Sequence, residues 1–249
     1  MNFKKKYSFI IPVKNQEKNI KNNLEKLIKV IENCDYVANY EIIVIDDGSI
    51  DKTFEIIKSI SKQNRKVKVK KNQLNMGKGF SIKKGVGLIN KNSQKIILID
   101  SDIPYIQKLS NLIYKLNTNK IVIINRRDKK SKLILKKRNF YIYYRLLIGY
   151  ALNLFFRLIR LTNLKDTQAG LKGFDASFKN HFKEIKTHGF LFDLEILYIL
   201  IRKNYNPISI PCNYSISSKS SIKFNLQIYL RIFNDLIIII YNFLLKNYK

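Results

Sequence analysis

"YEIIVIDDGSIDKTFEIIKSI", residues 40–60, decides the fold class. Ile42-Ile43-Val44-Ile45 form an unbroken apolar run that ends abruptly in Asp46-Asp47-Gly48-Ser49. A short apolar run closed by a turn signal suits a strand buried on both faces. A helix is predicted over residues 51–62, with Ser49 or Asp51 as its cap.

The same unit recurs on either side. "YSFIIPV" (7–13) reads as a first strand, and residues 17–33 carry Ile20, Leu24, Leu27, Ile28 and Ile31 at helical spacing. "VKVKKN" (67–72) is a short strand, followed after "NMGKG" by a helix over 78–90. "KIILIDSDIP" (95–104) and "NKIVIINRR" (119–127) are the fourth and fifth strands. Strands alternating with helices predict an α/β fold with a mostly parallel central sheet flanked by helices. In such sheets ligands bind beyond the carboxyl ends of the strands. Asp46-Asp47-Gly48, Asn75–Gly79 and the pair Asp100/Asp102 all fall there.

The second half reads differently. Residues 128–137 look like a mobile basic loop, and 138–160 like a helix that is apolar almost all round. Arg145, Gly149, Asn153 and Arg157, spaced by four, draw a polar stripe along it. "KDTQAGLKGF" (165–174) is a turn with a short strand, and "FLFDLEILYILIRK" (190–203) is a helix. In the tail from Asn225, polar Gln227, Arg231, Asn234, Asp235 and Asn242 share one face of a helix of the membrane-interface type. The expected division is a catalytic domain over 1–220 and an amphipathic segment over 221–249.

Composition narrows the partners. The 249 residues are 46% hydrophobic, enough for a sizeable core, so wholesale disorder is excluded. Forty-seven Lys+Arg against 18 Asp+Glu give a net charge of +29, which favours phosphates and anionic lipid. Many of these lysines are read as ordinary solvated surface. They are scattered and match no nucleic-acid motif, so no specific nucleic acid is expected as a partner. Cys34 and Cys212 form no CxxC pair, and His181 and His188 lack metal-ligand spacing. A reducing cytoplasm is the expected compartment. The basic, then apolar start reads as a strand, not a signal peptide, and no apolar run reaches about 18 residues.

Asp100-x-Asp102 at a strand end suits a divalent cation, Mg²⁺ or Mn²⁺, which keeps water and substrate phosphates in its other positions. "NMGKG" offers glycines for close backbone approach and Lys78 as a charge for a diphosphate. Neither G-x-x-x-x-G-K-[ST] nor G-x-G-x-x-G after the first strand is present, which disfavours ATP phosphoryl transfer and NAD hydride transfer.

Seven stretches in order, "SFIIPVKNQEKNI", "EIIVIDDGSIDKT", "NMGKGFSIKKGV", "ILIDSDIP", "INRRD", "DTQAGLKGF" and "GFLFDLEIL", resemble the family 2 glycosyltransferases of GT-A (Rossmann-like) fold. Within that family the chain is most similar to polyprenyl-phosphate and dolichyl-phosphate glucosyl- and mannosyltransferases. The resemblance implies an inverting, metal-dependent hexosyltransferase at the cytoplasmic membrane face. It would move a hexose, glucose from UDP-glucose before mannose from GDP-mannose, to a polyprenyl phosphate. It implies that Pro12, Asn15 and Asp46 or Asp47 line the nucleotide, and that Lys78 lies near the diphosphate. Asp100 and Asp102 would hold metal and donor, Arg126 and Arg145 the lipid phosphate, and Gln168 would lie near the sugar. Asp193 and Glu195 match the family's F-D-x-E segment. The alternative acceptor is a saccharide hydroxyl in cell-surface polysaccharide synthesis, which needs a general base; Asp193 is the candidate. The chain departs from the family's pattern at Gln16, where an acid is usual, and at Ile124-Asn125-Arg126, where G-S-R is usual. Relatives often carry transmembrane helices after the catalytic domain, whereas 221–249 holds one amphipathic segment.

Overall fold

The computed structural model describes residues 4–134, 140–215, 226–245 and 248. The first half runs β1 (Lys5–Val13), α1 (Ile20–Glu32), β2 (Val37–Asp46), α2 (Thr53–Gln63), β3 (Val67–Lys71), α3 (Lys78–Gly87), β4 (Lys95–Ile99), α4 (Leu109–Thr118) and β5 (Ile121–Asn125). It continues with β6 (Lys132–Leu133), α5 (Phe140–Leu158), β7 (Leu171–Asp175), α6 (His181–Glu184), α7 (Phe192–Arg202), β8 (Ile208–Pro211), β9 (Asn213–Tyr214) and α8 (Leu226–Leu244).

Seven strands form one sheet in the order β3-β2-β1-β4-β7-β5-β8. The pairs β1–β2, β1–β4, β2–β3 and β5–β8 are parallel. β7 enters antiparallel between β4 and β5. Its direction matters for function. Leu171, the first residue of β7, pairs with Ile99, the last of β4. The residues just before β7 are therefore delivered beside Asp100, and Asp100 N–H donates to the Gly170 carbonyl at 2.9 Å.

Both sheet faces are covered, as the apolar runs require. Phe9, Ile11, Ile42 and Val44 face a cluster with Ile20, Leu24, Leu27 and Ile31 of α1 and Leu112 and Leu116 of α4. Ile10, Ile43 and Ile45 point the other way, toward Ile82 and Val86 of α3 and Leu194 and Leu197 of α7. This is the period-two alternation of a strand. Each fully buried Leu or Ile contributes about 1.5–3 kcal/mol.

Two helices face solvent with their apolar sides. On α5, Phe140, Leu147, Tyr150, Leu154 and Leu158 are exposed, while Ile142, Asn153 and Phe156 are buried. On α8, Leu230, Phe233, Ile237, Tyr241 and Leu244 are exposed, while Asp235, Ile239 and Asn242 are buried. Of the polar stripes, Asn153 on α5 and Asp235 and Asn242 on α8 turn toward the protein, whereas Arg157, Arg231 and Asn234 are exposed. Ile239 of α8 joins the α3–α7 cluster, so this helix packs on the main body. Among the described residues no helix is long and apolar enough to cross a membrane. Part of the expected loop at 128–137 is tied down, since β6 pairs with β9; residues 135–139 and 216–225 lie outside the described residues.

Candidate active site

The loops after β1 and β2 are knitted together. Asn15, at φ 50°, donates its backbone N–H to Ser49 Oγ at 2.9 Å, and its side-chain oxygen accepts from Ile50 N–H at 3.0 Å. Asp51, not Ser49, serves the start of α2: its carboxylate accepts from Thr53 N–H at 3.0 Å. Pro12 is buried within β1, one strand position before the loop. Asp46 accepts from Ser49 N–H at 2.7 Å through Oδ1, whereas its buried Oδ2 has no partner. Asp47 is fully engaged with the following glycine loop. It accepts from Asn72 Nδ2, Met76 N–H and Gly77 N–H, each at 2.9 Å. Asp46 therefore retains an unused acceptor, and Asp47 shapes the loop that carries Lys78.

At the end of β4 the paired carboxylates meet a row of alternating charges. Lys78 Nζ lies 2.6 Å from Asp100 Oδ1 and 3.5 Å from Asp193 Oδ2. Lys172 Nζ lies 2.7 Å from Asp193 Oδ1. The order is Asp100, Lys78, Asp193, Lys172, drawn from β4, α3, α7 and β7. The side chains of Asp193 and Lys172 are 3% and 2% exposed. Burial pushes the Lys78 ammonium down, but Asp100 and Asp193 outweigh it and raise it above the ordinary lysine value. Burial dominates at Lys172 and lowers it. Asp102 stands at the open side of the turn; desolvation by its surroundings and repulsion from Asp100 raise its carboxyl above the ordinary value.

Lys172 was not singled out from sequence, although a lysine inside the apolar "AGLKGF" (169–174) was a signal that a buried carboxylate awaited it. Gly170 is the second omission. A Cβ there would stand 2.3 Å from Asp100 Oδ2, so only glycine lets β7 approach the carboxylate.

At the end of β5, Arg126 is bonded bidentately to Asp166, Nε to Oδ2 and Nη2 to Oδ1, both at 2.7 Å. Burial pushes the Asp166 carboxyl up, yet the Arg126 bonds and charge prevail and hold it below the ordinary range. Gln168 donates its backbone N–H to the same carboxylate at 3.2 Å, while its buried Nε2 has no partner. Arg145 lies on α5, its side chain outside the described residues. Arg127 bridges α5 to the 165 loop, donating to the carbonyls of Gly149 and Lys165. Glu195 is structural: it accepts from Lys186 N–H, Thr187 N–H and Tyr248 Oη–H.

Asp100 and Asp102 fit a divalent cation on two observations. An ammonium, Lys78, already supplies positive charge at Asp100, and Gly170 leaves that carboxylate unobstructed. No group of three or more His, Cys, Asp or Glu with metal-site geometry occurs among the described residues. Two carboxylates with water and ligand phosphate completing the shell is the pattern of a hard cation such as Mg²⁺. A concavity of about 630 Å³ opens at the opposite end of the sheet, lined by Lys5, Lys91, Lys95 and Lys120 among others. It holds none of the chemistry-bearing residues, and the carboxyl end remains the candidate.

Comparison with known proteins bears on the family and the fold. The family model "Glycosyl transferase family 2" matches residues 8–177. A dolichyl-phosphate beta-glucosyltransferase of Dictyostelium discoideum is 26% identical, covering 84% of this chain and 66% of its own. Its human namesake is 27% identical over 78% of this chain and 63% of its own. That of Saccharomyces cerevisiae is 27% identical over 97% and 76%. This chain thus spans about two thirds of the length of the first of these relatives. Among solved structures, glucosyl-3-phosphoglycerate synthase from Mycobacterium tuberculosis, with Mn²⁺, UDP-glucose and phosphoglyceric acid, superposes with TM-score 0.62 at 15% identity, covering 94% of this chain and 79% of that one. Mannosyl-3-phosphoglycerate synthase from Rubrobacter xylanophilus gives 0.68 at 14%, covering 98% and 75%. At these identities the two structures speak for the fold alone.

Proposed function

The chain belongs to glycosyl transferase family 2, and on that premise we propose that it moves glucose from UDP-glucose to a polyprenyl phosphate, with inversion, at a membrane surface. The observation that carries this reading is the charge row at the end of β4, with Asp100 and Lys78 paired at 2.6 Å. The named relatives, dolichyl-phosphate beta-glucosyltransferases, support the sugar and the acceptor class. The exposed apolar sides of α5 and α8 support the membrane surface.

Asp100 and Asp102 would hold the cation, Mg²⁺ or Mn²⁺, whose contribution when bound is to neutralise the departing diphosphate. Lys78, kept in place by Asp193, offers its ammonium to the same phosphates. Asp46 Oδ2 serves the nucleoside end, together with Pro12 of the adjacent strand β1 and Asn15 of the loop that follows it. Gln168 Nε2 serves a sugar hydroxyl. Arg126 uses Nε and Nη2 for Asp166, which leaves Nη1 for the acceptor phosphate; Arg145 is assigned to the same anion. A phosphate oxygen is already anionic at neutral pH and needs orientation more than deprotonation. This agrees with Asp193, whose two oxygens face two lysines and which is poorly placed to act as a base.

The test is direct. Pure protein is incubated with Mg²⁺, labelled UDP-glucose or GDP-mannose, and polyprenyl phosphate. Label is expected in lipid from UDP-glucose. Label from GDP-mannose instead would change the donor, and no lipid product from either would overturn the acceptor.

A further inference from the structure

The C-terminal helix is built into the donor-phosphate loop. Asp235, buried on the inner side of α8, accepts from Gly189 N–H and Leu191 N–H, both at 3.4 Å. A Cβ at Gly189 would lie 2.3 Å from Asp235 Oδ2, so glycine is what lets α8 come this close. The neighbouring His188 carbonyl accepts from Gly79 N–H at 2.8 Å, at the start of α3. A Cβ at Gly77, where φ is 99°, would strike that carbonyl at 2.3 Å. Lys78 therefore sits between two glycines pressed against a strap, residues 186–191, which α8 holds from behind. Glu195 grips the strap's other end through Lys186 and Thr187, and Tyr248 donates to Glu195 at 2.9 Å. A second link is independent of the strap. Asn75, with its amide oriented to satisfy its neighbours, accepts from Arg231 Nη1 at 3.0 Å and donates to Asp47 at 2.9 Å.

The outer side of the same helix carries Leu230, Phe233, Ile237, Tyr241 and Leu244, spaced by three and four and all exposed. The chain bears +29, so an anionic lipid surface is the occupant that matches both the stripe and the charge. We propose that Asp235 and Arg231 are positioning residues for the donor loop, and that docking of α8 on anionic lipid tightens nucleoside-diphosphate binding by steadying the 186–191 strap. This rests on the donor site assigned above. The physical basis is linkage: a surface that binds only the seated form of α8 raises the population of the seated loop. Nucleotide must in return raise lipid affinity by the same factor.

The experiment measures UDP affinity with Mg²⁺, by calorimetry on the full chain, with and without anionic phospholipid vesicles that contain no polyprenyl phosphate. Hydrogen exchange of residues 75–80 and 186–191 is followed in parallel, without nucleotide. Expected is a severalfold tighter Kd on vesicles and slower exchange in both segments. Asp235→Asn should bind UDP more weakly and lose the vesicle effect. Arg231→Met, at an exposed position, should reduce that effect with little change in melting temperature, which covers the case of a misfolded Asp235 variant. Vesicles that bind without changing Kd or exchange overturn the proposal. So does a vesicle effect that survives both substitutions, or a stripe buried by self-association in a protein that does not bind vesicles. Failure of the wild type to bind UDP at all, with exchange still slowed by vesicles, would strike the donor assignment and not the lipid coupling.

Discussion

Arg126 and Asp166 permit a prediction with a worked magnitude. The perturbation is the cycle of Arg126→Met, Asp166→Asn and the double variant. Asp166 accepts from Arg126 Nε, Nη2 and N–H and from Gln168 N–H, and its side chain is 1% exposed. Removing one partner of a buried pair costs about 3–5 kcal/mol. Arg126→Met leaves the backbone donors in place, which puts the expected loss near the lower end, about 3 kcal/mol. For a domain of this size that lowers Tm by about 6–12 °C. Asp166→Asn should cost about 2 kcal/mol, because the Arg126 side chain, 27% exposed, can recover water. The double variant should cost less than the sum, with a coupling of about 2 kcal/mol. The chain has no tryptophan, so urea unfolding is read by far-ultraviolet circular dichroism. The sign of the pH effect follows from the depressed Asp166 carboxyl. Its stabilisation is fully present above the unfolded-state value of about 3.9 and lost as pH falls through the folded value. Wild type should therefore lose more stability than Asp166→Asn on acidification below about pH 5. Additive costs, within about 0.5 kcal/mol, would refute the pairing as a source of stability.

Three further outcomes follow from the charge row. Chelator, or Asp102→Asn, should weaken UDP binding at least tenfold by calorimetry; affinity indifferent to both would remove the cation from the site. Lys78→Met should let Mn²⁺ alone bind more tightly, since its competitor at Asp100 is gone, while UDP binds less tightly; paramagnetic resonance of free Mn²⁺ reads the first effect. Gly170→Ala should leave far-ultraviolet dichroism unchanged but displace Asp100, which its Cβ would meet at 2.3 Å, and so lower metal-dependent UDP affinity.

Much of the frame was legible in the linear chain. Apolar runs ending in Asp46-Asp47 and Asp100-Ser101-Asp102 marked buried strands and their carboxyl ends, because only a sheet covered on both faces needs runs such as Ile42–Ile45. The helices came from spacing, as with Ile20, Leu24, Leu27 and Ile31, all of them buried. The antiparallel seat of β7 was not legible, since strand order depends on crossovers that leave no periodicity. Nor was the partner of each charge. Asp193 was a candidate base by position; that Lys78 and Lys172 reach it from α3 and β7 appears only in the folded chain.

The direction of the greasy helices shows the same division. Sequence alone determined that α5 and α8 are helices with a polar stripe, because backbone periodicity is local. Which members of each stripe turn inward was decided by tertiary packing. Asp235 turns inward because the backbone N–H groups of Gly189 and Leu191 need an acceptor there, and Leu230, Phe233 and Leu244 are left outside. Likewise the sequence placed two carboxylates at the end of β4. Only the folded chain brought Lys78 to one of them, since an ion pair forms by proximity in space and Lys78 lies 22 residues away in the chain.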